Sequence, residues 1–263
     1  MTLSPSTVSV INQLAPSEKR AIYTRMIPQA LIDRFNLSPD LFDQEGNDLL
    51  STKFSPGSPS VELSLKHQVD FPDPIQYGHV TDTLNGQLHI LLYILNDPES
   101  PRFDVDVMPN GRSTVFGTKL RNIEAEIGAM RAGLAPGQIR RGLRLLSIAI
   151  QTFEEFVTSL GHNIYFTEPL YYHNAVIFEK YGFSYQQGIK IMEQIQSGFS
   201  PEGELVRKLD ASSPFRSPEF AHSIRMRSWA IHDDILGEPF TEVTMYKYVG
   251  KIANANTCFD CTW

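Results

Sequence analysis

The spacing of apolar positions changes twice along the chain, and each change predicts a change of architecture. From Ser17 and Glu18, Ile22, Met26, Ala30 and Leu31 recur at helical spacing up to Phe35. Ser38-Pro39-Asp40 then opens a short second helix through Phe42. The first fifteen residues, rich in Ser, Pro and Thr, are expected to lie loosely on the surface. Residues 51–60 read as a Ser/Pro/Gly linker. Beyond it the period becomes two: Val61, Leu63 and Leu65 alternate with polar residues. The runs 75–83 and 87–95 flank Asn85-Gly86, a strong short-range hairpin signal. Phe103, Val105 and Val107 alternate within a further expected strand, 102–108.

Helical spacing then returns. Leu120, Ile123, Ile127, Met130 and Leu134 share one helix face, and Ala135-Pro136-Gly137 ends it. A second helix is expected over 138–160 and stopped by Gly161, followed by a strand at 163–166 and a helix at 171–181 stopped by Gly182. Strands are predicted again at 223–231 and 242–249. The order implies an α/β protein with a mixed, mainly antiparallel twisted sheet flanked by helices. It divides into an N-terminal helical extension with its linker (1–59), an α/β domain (60–250) and a C-terminal tail (251–263).

Composition narrows the function classes. The 263 residues are 41% hydrophobic and 11% aromatic, enough for a substantial core. A net charge of −7 argues against a nucleic-acid partner. No apolar run reaches the roughly 18 residues of a membrane span, and the first residues lack a signal peptide's basic and apolar regions. With Cys258 and Cys261 the only cysteines, a disulfide framework is not expected and a cytoplasmic location is.

The stretch from Asp104 to Leu120 reads as strand, turn and helix start, where free N–H groups and the helix dipole favour an anion. Arg112, Gly117, Thr118 and Lys119 suit a phosphate there; an ordinary connection is the alternative. The stretch Thr167 to Phe183 adds Phe178-Glu179-Lys180-Tyr181-Gly182-Phe183. Together these resemble the GNAT superfamily of N-acyltransferases over about residues 61–250. Arg112-Ser113-Thr114-Val115-Phe116-Gly117 looks like that family's Arg-x-x-Gly-x-Gly/Ala loop, with Val115 at the first glycine. The later segment looks like its Tyr-Glu-Lys-x-Gly-Phe helix end, with Phe178 in place of the tyrosine. A competing register is Pro136 to Gly142.

The resemblance implies transfer of an acyl group, acetyl first, from coenzyme A to an amine of a small molecule or peptide. Arg112, Ser113, Thr114, Val115, Phe116, Gly117 and Thr118 would hold the acetyl-CoA or other acyl-CoA pyrophosphate, without a metal. His173 and Tyr172 are the candidate acid–base residues; Glu124 and Glu126 read as helix-surface residues. A homodimer is compatible with the sequence. Because Val115 and Phe178 remove features the chemistry uses, a non-catalytic acyl-CoA-binding module is an alternative. A second is a metal-dependent hydrolase built on His232, Asp233 and Asp234, although neighbours on a strand point to opposite faces. Cys258-Phe259-Asp260-Cys261 reads as a loose tail, since a structural zinc needs four ligands. Arg207, Lys208, Arg216, Arg225 and Arg227 form a basic cluster read as solvated charge.

Overall fold

A computed structural model describes residues 5–115, 117 and 119–263; Phe116 and Thr118 of the expected anion loop lie outside the described residues. In chain order come α1 (Val8–Ile11), α2 (Pro16–Tyr23), α3 (Gln29–Arg34), β1 (Leu50–Lys53), β2 (Ser60–Leu65), β3 (Gln76–Asp82) and β4 (Leu88–Leu95). Then follow α4 (Ile123–Arg131), α5 (Leu146–Ser159), β5 (Ile164–Thr167), α6 (Tyr172–Lys180), β6 (Ser184–Gln187) and α7 (Ile189–Gly198). Last are α8 (Glu204–Arg207), α9 (Ile224–His232) and β7 (Thr244–Tyr248). The chain is an α/β protein with a seven-stranded mixed sheet of order β1-β2-β3-β4-β5-β7-β6 among the described residues. No helix among them is long and apolar enough to cross a membrane. The chain divides into two compact units.

The first unit comprises Met1–Pro98, Gly142–Glu168 and Tyr246–Ile252. Its strands β1 to β4 run antiparallel. The Asn85-Gly86 signal closes the β3–β4 hairpin, with Gly86 at φ 75°, a backbone region that costs glycine little. Val61, Leu63, Leu65 and Val80 are buried, as a period-two pattern with one covered face requires. Among the described residues, the N-terminal segment is not loose. Val8 and Ile11 are fully buried, and both oxygens of Asp82 accept backbone N–H groups of α1, from Val8 at 2.7 Å and Ser9 at 2.9 Å. Asn12 donates to the Ser58 and Ser60 carbonyls at 2.8 and 3.1 Å, so the expected linker is anchored, and it contributes β1. The short helix expected at 38–42 is a turn around a left-handed Leu41 that is fully buried.

The second unit comprises Glu99–Arg141, Pro169–Met245 and Ala253–Trp263. Two expected strands are absent from it. Residues 102–108 form turns with one isolated bridge, Val107 to Ser113, where Arg102 pairs with Asp104 and Asp106 along its own segment in place of a ladder. Residues 223–231 form α9, its N-terminus capped by the Ser223 hydroxyl accepting from Met226 N at 3.3 Å. The period-two reading failed because α9 is enclosed nearly all round: Ile224, Arg227, Ser228, Trp229, Ala230 and Ile231 are all buried, which erases the amphipathic stripe. The C-terminal residues are not loose either, since Thr262 accepts from Ile224 N and donates to the His222 carbonyl.

Candidate functional site

In the first unit, the parallel pairing of β4 with β5 is short. It joins Leu88 to Tyr165, His89 to Phe166 and Ile90 to Thr167, and then stops while β4 continues to Leu95. At this divergence β4 bulges. His79 faces Leu92 and Val80 faces Ile90, leaving Leu91 as the extra residue, and a bulge bends and twists its strand. Past it the β5-facing edge of β4 has no strand partner among the described residues until Asn96 bridges Gly142. Every residue from His89 to Leu95 is half-buried, although this apolar run lies mid-sheet. β4 thus runs on past its pairing with β5, its apolar residues half-buried.

Two charged features adjoin this stretch of β4. Gly142 leads through a left-handed Arg144 (φ 60°) into α5, whose N-terminal Leu145 provides no side-chain cap. The first amides of this 14-residue helix are therefore unsatisfied by a capping side chain. Where β4 pairs with β5, His89 Nε2 lies 3.6 Å from Glu168 Oε1. Burial holds the imidazole pKa below its ordinary value, and the Glu168 charge works against that. Sequence reasoning passed over this pair because strand pairing alone brings its members together.

The second unit contains the Arg112 segment. Arg112 and Ser113 are exposed, and Thr114 is fully buried with its hydroxyl donating to the Val105 carbonyl at 2.7 Å. The amides of Arg112, Val115 and Gly117 donate to Asn110 Oδ1, Ser113 Oγ and Thr114 Oγ1. Val115, standing where the family loop has glycine, adopts φ 54°, an uncommon backbone for a β-branched residue. Helix α4 begins later, at Ile123, and is capped by Asn122.

Around this segment the fold builds a buried ionic network. Glu126 is buried, not on the helix surface. Its Oε1 lies 3.0 Å from His232 Nε2, and its Oε2 accepts from Arg121 Nε and Nη2 at 2.9 and 2.6 Å. Arg121 also donates to Asp233, which accepts further from Ser213 and from Arg216. Burial raises the Glu126 and Asp233 pKa values, but hydrogen bonds from His232 and Arg121 (for Glu126) and from Ser213 and Arg121 (for Asp233) outweigh it and hold both low. His232 and Asp233, two of the three candidate metal ligands, are thus engaged with protein groups, and Arg216 of the expected solvated cluster is committed here.

Of the candidate acid–base residues, His173 is buried, its Nδ1 2.9 Å from Ser228 Oγ and its Nε2 3.2 Å from Asn174 Nδ2. Burial and the neighbouring His232 push its pKa down to about 3. The Tyr172 hydroxyl is buried and donates to Cys258 Sγ at 3.1 Å. Phe178 packs its ring 5.0 Å from Phe183, while the adjacent Glu179 accepts from the Tyr185 hydroxyl and from Thr257 N and Oγ1. Cys258 and Cys261 form a disulfide, which corrects the expectation of none. Together with Asp260 they make the one group among the described residues with three possible metal-ligand atoms within 4.8 Å of one another. As a disulfide, however, neither sulfur is a thiolate ligand. No protein-family model matches the chain, and neither a curated protein nor a solved structure gives a match.

Proposed function

We propose that the chain is an acyl-CoA-dependent acyltransferase that moves an acyl group, acetyl first, from coenzyme A to an amine. The observation that carries this reading is the stretch of β4 left without a strand partner where its pairing with β5 stops. An extended pantetheine arm carries two amides and a thin aliphatic profile. It can pair with the unpartnered β4 edge as an added strand does, its methylenes against the half-buried apolar residues. The uncapped start of α5, beside Arg144, suits the pyrophosphate, since free helix N–H groups and the dipole favour negative charge. His89, backed by Glu168 where the pairing ends, is the group assigned to accept the amine proton. A non-catalytic acyl-CoA-binding module is the second reading, favoured by Phe178, which has no hydroxyl to protonate a departing thiolate.

Calorimetric titration with acetyl-CoA, a longer acyl-CoA and free coenzyme A tests the cofactor, and acetyl-CoA turnover over an amine panel tests the chemistry. Micromolar binding weakened by Arg144→Ala supports the α5 site; weakening by Arg112→Ala instead moves the pyrophosphate to the Arg112 loop. Turnover lost in His89→Gln with binding retained supports the assigned base. Binding without turnover of any amine selects the second reading, and no binding of any of the three ligands overturns both.

A further inference from the structure

Arg227 is fully buried on α9, and a buried cation is costly unless its charge is compensated. Its Nε donates to the Ala221 carbonyl. Its Nη1 donates to Gln196 Oε1 at 2.7 Å and to Cys258 Sγ at 3.3 Å. The Phe199 ring lies 4.9 Å away, and Nη2 has no hydrogen-bond partner among the described residues. The guanidinium thus meets uncharged acceptors and a sulfur. That same sulfur accepts from the Tyr172 hydroxyl at 3.1 Å. Cys258 is buried, whereas Cys261, its disulfide partner, is half-exposed.

We propose that Cys258 and Cys261 are a redox-active dithiol–disulfide pair that exchanges with thiols, Cys261 taking the attack and Cys258 leaving as a thiolate held by Arg227 and Tyr172. An incoming thiolate bonds to the sulfur of Cys261, the half-exposed member of the pair. The Cys258–Cys261 bond breaks, and its electron pair departs on Cys258, beside a cation and a hydroxyl donor. A second thiolate then attacks the sulfur of the first, releasing an external disulfide, and Cys261 leaves and takes up a proton. Two thiols are oxidised to one disulfide, and the protein disulfide is reduced to one thiolate and one thiol. A stabilised leaving thiolate speeds the exchange and makes the disulfide more oxidising. Charge of the opposite sense is also present. Burial, with the charges of Glu179 and Asp260, holds the Tyr172 pKa above its ordinary value against the opposing effect of Arg227, and Asp260 accepts from Gln196 Nε2 at 2.6 Å. Gln196 is thereby oriented with its oxygen toward Arg227.

The test uses the purified full chain and follows thiolate ultraviolet absorbance against pH after reduction, with Cys261→Ser assigning the signal to Cys258. Free cysteine ionises at about 8.5. The expected result is about tenfold or more thiolate at pH 7 than that value gives, reduced by Arg227→Gln and by Tyr172→Phe, which removes one donor without opening a cavity. Equilibration with reduced and oxidised glutathione, trapped by alkylation, is expected to give a pair that glutathione reduces, and one that Tyr172→Phe makes less oxidising. Ordinary ionisation of Cys258 overturns the proposal. So does a disulfide that glutathione leaves intact in the folded protein, which would make it a structural staple. Zinc retained stoichiometrically by the protein as isolated overturns it in favour of a metal site.

Discussion

His232 and Glu126 form a buried pair, Nε2 to Oε1 at 3.0 Å, with exposures of 8% and 2% for the two side chains. The pair lies directly over the backbone of Gly117, where an added Cβ would come within 3.0 Å of the imidazole and 3.2 Å of the carboxylate. One glycine of the Arg112 segment therefore has a packing reason to be glycine, whatever else the segment does.

Gly117→Ala is expected to destabilise the protein by roughly 1–3 kcal/mol, because φ is 80° and the methyl meets a buried pair with little room to yield. Urea denaturation at fixed pH measures this, and an unchanged midpoint contradicts the packing.

Glu126→Gln is expected to cost about 1–3 kcal/mol, since it removes the carboxylate that Arg121 and His232 share while Asp233 still neutralises Arg121. Pairing His232→Gln with it in a double-mutant cycle measures the coupling. Additive losses would mean that the two side chains do not interact energetically.

Buried His173 makes stability depend on pH. Its unfolded imidazole protonates near the ordinary 6.5, whereas the folded one does so only at about 3. Between those values the unfolded state binds more protons, so stability is full above the upper value and falls as pH drops toward the lower one. His173→Gln should flatten thermal stability across that window. A variant as acid-sensitive as the parent sinks the assignment.

Glu179 ties the C-terminal segment to α6 through Thr257 N at 3.0 Å and Thr257 Oγ1 at 2.7 Å. Glu179→Ala is expected to release residues 253–263, read as faster amide exchange and earlier proteolytic cleavage there. Unchanged protection would show that the disulfide and the Thr262 bridge suffice.

Some of this architecture was legible in the chain alone, for a local reason. The alternation at Val61, Leu63 and Leu65 and the Asn85-Gly86 turn specify strands through side-chain period and backbone preference, which act over a few residues. The helix ending at Gly182 announced itself likewise. The α9 helix did not, because a segment enclosed on all sides has no polar stripe to set a period. Nor did the role of Glu126, whose acidic neighbours and helical position describe a solvated residue until Arg121 and His232 arrive from elsewhere.

The same division separates the candidate sites from their sequence signals. Residue types fixed which groups could do chemistry: a histidine in a strand, a cysteine pair, the basic residues Arg207, Lys208, Arg216, Arg225 and Arg227. Only tertiary structure decided that His89 meets Glu168 where β4 and β5 part, and that Arg227 and Tyr172 converge on Cys258. Each of these pairings joins segments far apart along the chain. Their contact depends on strand order and helix packing, which balance the burial of many side chains at once, and no local pattern records that sum.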